Sequence, residues 1–118
     1  MTSYTLAVRG VKNLSEYQDL SESTEEFDLQ KYVFDTGAYY EKEHEAIFSS
    51  WEPQEWRSHD SHMTIISEKY PNMIFELTCQ EEDTFWREYY QDGQKETCFG
   101  EVIFEKPRKL DWDKLLVF

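Results

Sequence analysis

Two histidines, His59 and His62, stand three positions apart in the segment WRSHDSHMTIISEKYP. On a helix that spacing points both rings roughly the same way. Such a pair can ligate a metal, with Cys79, Cys98 or Asp60 completing the set. No CxxC or HExxH spacing supports zinc, and His59 falls on the apolar stripe of its helix, so a satisfied core histidine is the preferred reading. The two cysteines are expected to be small buried residues on strands that could be neighbours. A nucleophilic thiol needs an electropositive setting, which a chain of net charge −13 does not provide. The sequence holds no glycine-rich phosphate loop and no GxSxG. The expectation is therefore a protein without catalysis and without a cofactor.

The second set of residues with chemical potential is acidic. Between Ser15 and Asp28 lie Glu16, Asp19, Glu22, Glu25, Glu26 and Asp28, with no lysine or arginine. Carboxylates three or four apart on a helix lie about 5–6 Å from one another. Nucleic-acid phosphates repeat on a comparable scale, about one charge per 3.4 Å of axis per strand. Glu16, Asp19, Glu22 and Glu26 thus form a row that resembles phosphates to a basic groove. Glu41, Glu43 and Glu45, and the loop residues Glu81, Glu82 and Asp83, extend the field. The plain alternative is a solvated face that keeps the chain soluble. The charge repels nucleic acid and anionic membranes and favours a basic protein surface as partner.

A third set is aromatic. Trp86, Tyr90, Phe99 and the pair Tyr39–Tyr40 would form a stacking platform for single-stranded bases if they shared an open sheet face. That mode needs a positive groove, and the one basic cluster is Lys106, Arg108 and Lys109 near the chain's end. Core packing and cross-strand pairing are the preferred reading.

These residues need elements to hold them. The chain has 118 residues, enough for one domain with its own core, and 17% aromatics to fill it. Ser3–Gly10 alternates Tyr4, Leu6 and Val8 against polar neighbours, which predicts a strand. Asn13 with Glu16 predicts a capped helix from about Leu14 to Ser23, burying Leu14, Tyr17, Leu20 and Thr24. FDLQKYVFD fits no element clearly. EHEAIFSSWE, within Glu43–Glu52, predicts a second strand. Trp56, His59, Met63, Ile66 and Tyr70 mark a second helix, with Ser58 as N-cap and Pro71 as its stop. Met73, Phe75, Leu77 and Cys79 predict a strand with odd positions inward.

Asp92–Gly93 predicts a two-residue hairpin turn, opposing Tyr90 to Lys95, Glu88 to Thr97 and Trp86 to Phe99. The glycines after Gly10 are assigned to loops or this hairpin, Gly100 to a bulge ahead of Val102, Ile103 and Phe104. The C-terminal RKLDWDKLLVF is expected to dock as a short helix, or onto a second copy as a homodimer contact. The expected fold is α+β: a four- to five-stranded antiparallel sheet with two helices on one face, ferredoxin-like in the simplest topology, over residues 1–118. With no signal peptide and no membrane-length apolar run, the expected compartment is the cytoplasm.

The stretch from Trp56 to Gly93 carries a Trp-led helix with histidine, the helix end SEKYP, the strand IFEL, an acidic loop, and the aromatic strand FWREYYQDGQ. Together with the opening TLAVRG, it resembles small acidic proteins carried by bacteriophages and other mobile elements, which have a ferredoxin-like domain of unknown function. The loop CQEEDT departs from the longer, glycine-rich loop of that group. The resemblance implies an accessory protein that sticks to host proteins, in the manner of inhibitors of CRISPR or restriction enzymes.

Overall fold

The computed structural model describes residues 1–26, 29–50 and 52–99. Six strands and two helices follow one another as β1 (Ser3–Arg9), α1 (Leu14–Glu26), β2 (Thr36–Tyr40), β3 (Glu45–Ser49), α2 (His59–Lys69), β4 (Ile74–Glu81), β5 (Thr84–Gln91) and β6 (Gln94–Phe99). A short 3-10 turn, Val33–Asp35, leads into β2. The strands form one sheet in the order β2-β3-β1-β4-β5-β6. Every neighbouring pair is antiparallel. The α+β class holds, but the sheet has six strands among the described residues rather than four or five.

The unforeseen strand is β2. TGAYY is short, carries Gly and Ala, and lies at the sheet edge with most of its residues exposed, so it shows no apolar alternation. Gly37 therefore belongs to a strand and not to a loop. A Cβ there would stand 2.7 Å from the Tyr17 hydroxyl and 2.9 Å from the Phe48 ring.

β1 sits at the centre, with β3 and β4 on either side. Its even positions Tyr4, Leu6 and Val8 are buried together with Phe48, Phe75, Leu77, Cys79 and Tyr90. Leu20 of α1 and Met63 and Ile66 of α2 join the same cluster, so both helices cover one sheet face. Burial of such side chains stabilises by about 1.5–3 kcal/mol each.

The α1 N-terminus is capped as its sequence predicts: the Glu16 amide donates to Asn13 Oδ1 at 2.9 Å. The Glu16 carboxylate accepts from the Lys12 amide at 2.8 Å. The helix runs one turn further than expected, and Leu14 is exposed rather than buried. Ser58 stands at the N-cap of α2 but makes no side-chain capping bond. Its φ and ψ of −95° and 20° are not the extended backbone from which a serine reaches the first-turn amides.

The β5–β6 register matches the Asp92–Gly93 turn, whose φ angles are 48° and 80°. The Gly93 amide donates to Ser67 Oγ at 2.9 Å, tying the hairpin tip to α2. The expected bulge at Gly100, the strand continuing through Phe104 and the C-terminal tail all lie outside the described residues.

Candidate functional site

β5 carries Trp86, Glu88 and Tyr90 at alternate positions, so all three face the helices. Glu88 is the exception in that row, a carboxylate only 4% exposed. The first residue of α2 lies over it. His59 Nε2 is 2.9 Å from Glu88 Oε1 and 3.1 Å from Oε2. The Trp86 indole donates to Oε2 at 2.8 Å and the Tyr90 hydroxyl to Oε1 at 2.6 Å. Lys95, across from Tyr90 on β6, stands 3.6 Å from Oε1 and 3.4 Å from Asp60 Oδ1. Asp60 Oδ1 is also 3.2 Å from the Tyr90 hydroxyl.

Burial by itself would push the Glu88 carboxyl up, but hydrogen bonds from His59, Tyr90 and Trp86 outweigh it and hold it at about 2. The bond to Glu88 raises the His59 imidazole above its usual value, against the effect of its own burial. Burial and the adjacent Glu88 charge push the Tyr90 phenol up. His59 Nδ1 lies 3.1 Å from the Trp56 carbonyl. Both ring nitrogens thus face groups that only accept, so the doubly protonated imidazolium is the form of His59 that satisfies both.

His62 behaves differently. The Trp56 indole donates to its Nδ1 at 2.9 Å, which requires a lone pair there. Burial, with help from Lys31 and His59, lowers the His62 imidazole below its usual value. The pair therefore does not converge on one ligand. Among the described residues, no three His, Cys, Asp or Glu side chains gather to hold a metal ion. Beside the cluster, Tyr4, Trp56, His59 and Trp86 line a hollow of about 380 Å³, with Arg57 and Glu81 at its rim. His59 presents no free nitrogen to it, so in this arrangement the imidazole holds a carboxylate rather than serving as a base.

Cys79 is buried and Cys98 exposed. Their strands, β4 and β6, are separated by β5 and are not neighbours as expected. Burial pushes the Cys79 thiol up.

The aromatic residues do not share one open face. Trp86 and Tyr90 face the helices, and Tyr39 stacks on Tyr17 at 5.4 Å. Phe99 and Tyr40 are exposed.

The acidic residues of α1 divide in two. Glu16 serves the helix cap, Asp19 accepts from the Tyr70 hydroxyl at 2.8 Å, and Glu26 stands 3.6 Å from Lys69. These three lie on the flank facing the end of α2. Glu22 and Glu25 point outward, Glu25 accepting from Gln30 at 3.2 Å. Asp28 lies outside the described residues. Glu81 stands 3.8 Å from the terminal amine, and Glu82 and Asp83 form the exposed β4–β5 turn, with Glu82 at a φ of 53°. Glu41 and Glu43 are exposed in the β2–β3 turn, and Glu45 pairs with Arg9 at 3.2 Å.

Sequence reasoning missed Glu88 as a centre. The signal was present: a glutamate inside an inward row of aromatics must find partners, and a histidine on an apolar helix stripe can supply one.

Against known protein families, curated proteins and solved structures, the chain finds no match in any of the three. No helix among the described residues is long and apolar enough to cross a membrane.

Proposed function

We propose that this chain is a binding protein without catalysis, which docks through its acidic surface on the basic groove of a nucleic-acid-handling protein. The observation that carries the reading is how the cations are spent. Arg9 is held by Glu45 and Glu76, Arg57 by Glu55, Lys69 by Glu26, and Lys95 by Asp60 and Glu88. Glu22, Glu82 and Asp83 remain exposed without an ion pair among the described residues. Lys12 and Lys42 are exposed as well, but in a chain of net charge −13 carboxylates dominate the surface field, which steers a basic partner. Glu22 and Glu25 of α1 and Glu82 and Asp83 of the β4–β5 turn supply the contact, while Glu16, Asp19, Glu26 and Glu81, engaged within the fold, add their charge to the field.

The strand order β2-β3-β1-β4, with α1 and α2 as the crossovers, supports a ferredoxin-like unit to which the β5–β6 hairpin is added. The resemblance to mobile-element proteins supports a role inside a bacterial host, in the cytoplasm, as an inhibitor of a defence nuclease or a related enzyme. This rests on analogy between folds and compositions.

A pull-down from bacterial lysate with the tagged chain, repeated with excess duplex DNA, tests the reading. One nucleic-acid enzyme should be recovered and displaced by the DNA, with binding that weakens steeply as salt rises. Binding that is indifferent to salt, or no specific partner, overturns it.

A further inference from the structure

Trp56 is gripped twice by the same helix, and the two grips make opposite demands. Its carbonyl faces His59 Nδ1 at 3.1 Å, so that nitrogen must carry a proton. Its indole N–H points at His62 Nδ1 at 2.9 Å, so that nitrogen must not. The far nitrogen of His59 is committed to Glu88, so His59 has no neutral tautomer that satisfies both sides. With either one, a lone pair faces an oxygen. His62 has one good state, the neutral ring with its proton on Nε2. A second proton would set two donors nose to nose. We propose that His59 and His62 clamp Trp56 as a two-sided pH switch, closed only while His59 is an imidazolium and His62 a neutral imidazole.

The surroundings of each ring fit this assignment. His59 is faced by Glu88 and Trp86 from β5, Lys95 from β6 and the Tyr4 ring from β1 at 5.8 Å, with Asp60 and His62 on its own helix. Glu88 is the nearest charge and favours the imidazolium; Lys95 opposes it at longer range. His62 is faced by Tyr32, 6.2 Å away between ring centres, by Trp56, and by the positive charges of Lys31 and His59, which oppose a further proton. The acid limit of the switch therefore lies below the usual histidine value of 6.5 and the alkaline limit above it, so the closed window spans pH 6.5.

Trp56 matters because of what rests on it. It is 2% exposed, stacks on Tyr32 at 4.9 Å and 8°, and meets Tyr4 edge-on at 5.3 Å. It also walls the hollow beside His59. Opening either grip removes a polar contact that fixes Trp56 against α2, although the His59 amide still donates to the Trp56 carbonyl at 3.3 Å and Gln54 stays bridged to Thr2.

The test is an NMR titration of the full chain labelled with ¹⁵N, following the histidine rings and the indole N–H groups from about pH 8 down to about pH 5. Near pH 6.5 the His59 ring should be mainly doubly protonated and the His62 ring mainly singly protonated on Nε2. On acidification the Trp56 indole N–H should shift and lose protection from exchange in step with His62, while the Trp86 indole, held by Glu88, stays in place. In His62→Gln the side-chain carbonyl accepts from Trp56 at every pH, so the acid step should vanish. The proposal is overturned if His59 is mainly neutral at pH 6.5, if His62 takes up its proton without moving Trp56, or if the acid step persists in H62Q. The wild-type titration decides the matter even if the variant fails to fold.

Discussion

His59 Nε2 sits between the two oxygens of Glu88, 2.9 Å from one and 3.1 Å from the other, and so fastens the first residue of α2 to the middle of β5. The carboxylate is enclosed by an imidazole, an indole, a phenol and an ammonium group, and it has no water-facing side on which to fall back. Removing it leaves the His59 imidazole, the Trp86 indole and the Tyr90 hydroxyl without this acceptor, while Lys95 keeps Asp60. Glu88→Ala should lose about 3–5 kcal/mol, the usual cost of breaking a buried pair from one side. Urea denaturation checks this; a loss below about 1 kcal/mol would show that the pair contributes no more than a surface contact.

The same pair sets a pH window. Glu88 is held at about 2 against 4.5 when unfolded, so its contribution is complete above about 4.5 and is lost as pH falls through about 2. His59 is raised above 6.5, so its contribution is complete below 6.5 and is lost as pH rises through the folded value. The pair should therefore contribute most between about 4.5 and 6.5. His62, lowered in the fold, acts in the opposite sense: its share is complete above 6.5 and is lost as pH falls through its folded value. Urea midpoints measured across pH should show the alkaline loss in the wild type and not in Glu88→Gln, where His59 has no anion to hold it charged.

Gly37 is where β2 lets an aromatic stack through. Tyr17 of α1 lies on both Tyr39 and Phe48, at 5.4 and 5.9 Å, and the space above Gly37 is filled by the Tyr17 hydroxyl and the Phe48 ring. Gly37→Ala places a methyl group in that space. Because Phe48 is itself in the core, it has little room to yield, and the substitution should destabilise by about 1–3 kcal/mol. Thermal unfolding of the variant gives the answer; an unchanged midpoint would mean that the edge strand simply moves away.

The two thiols should differ in reach. Cys98 is exposed on β6 and Cys79 is buried in β4 with its thiol pushed up by burial. A thiol reagent should modify Cys98 in the native protein and Cys79 only after denaturant is added, as counted by mass spectrometry. Labelling of both at equal rates would mean that β4 opens readily.

Local patterns determined much of this protein. The alternation of Tyr4, Leu6 and Val8, the Asn13–Glu16 cap, the odd-numbered row from Met73 to Cys79 and the Asp92–Gly93 turn each act over a few residues, and each set its element as the chain order implies. The hairpin register followed, because a two-residue turn leaves one pairing of its arms. What the sequence could not decide came from distance along the chain. β2 exists because β3 offers an edge to Thr36–Tyr40, not because TGAYY prefers to be a strand. Cys79 and Cys98 are kept apart because β5 enters between their strands. His59 and Glu88 lie 29 residues apart, and their meeting depends on α2 crossing the sheet with its first turn over β5. Residue types showed that both needed partners. Only the tertiary packing chose them for each other, because a buried charge is stable only where the fold brings the opposite charge to it.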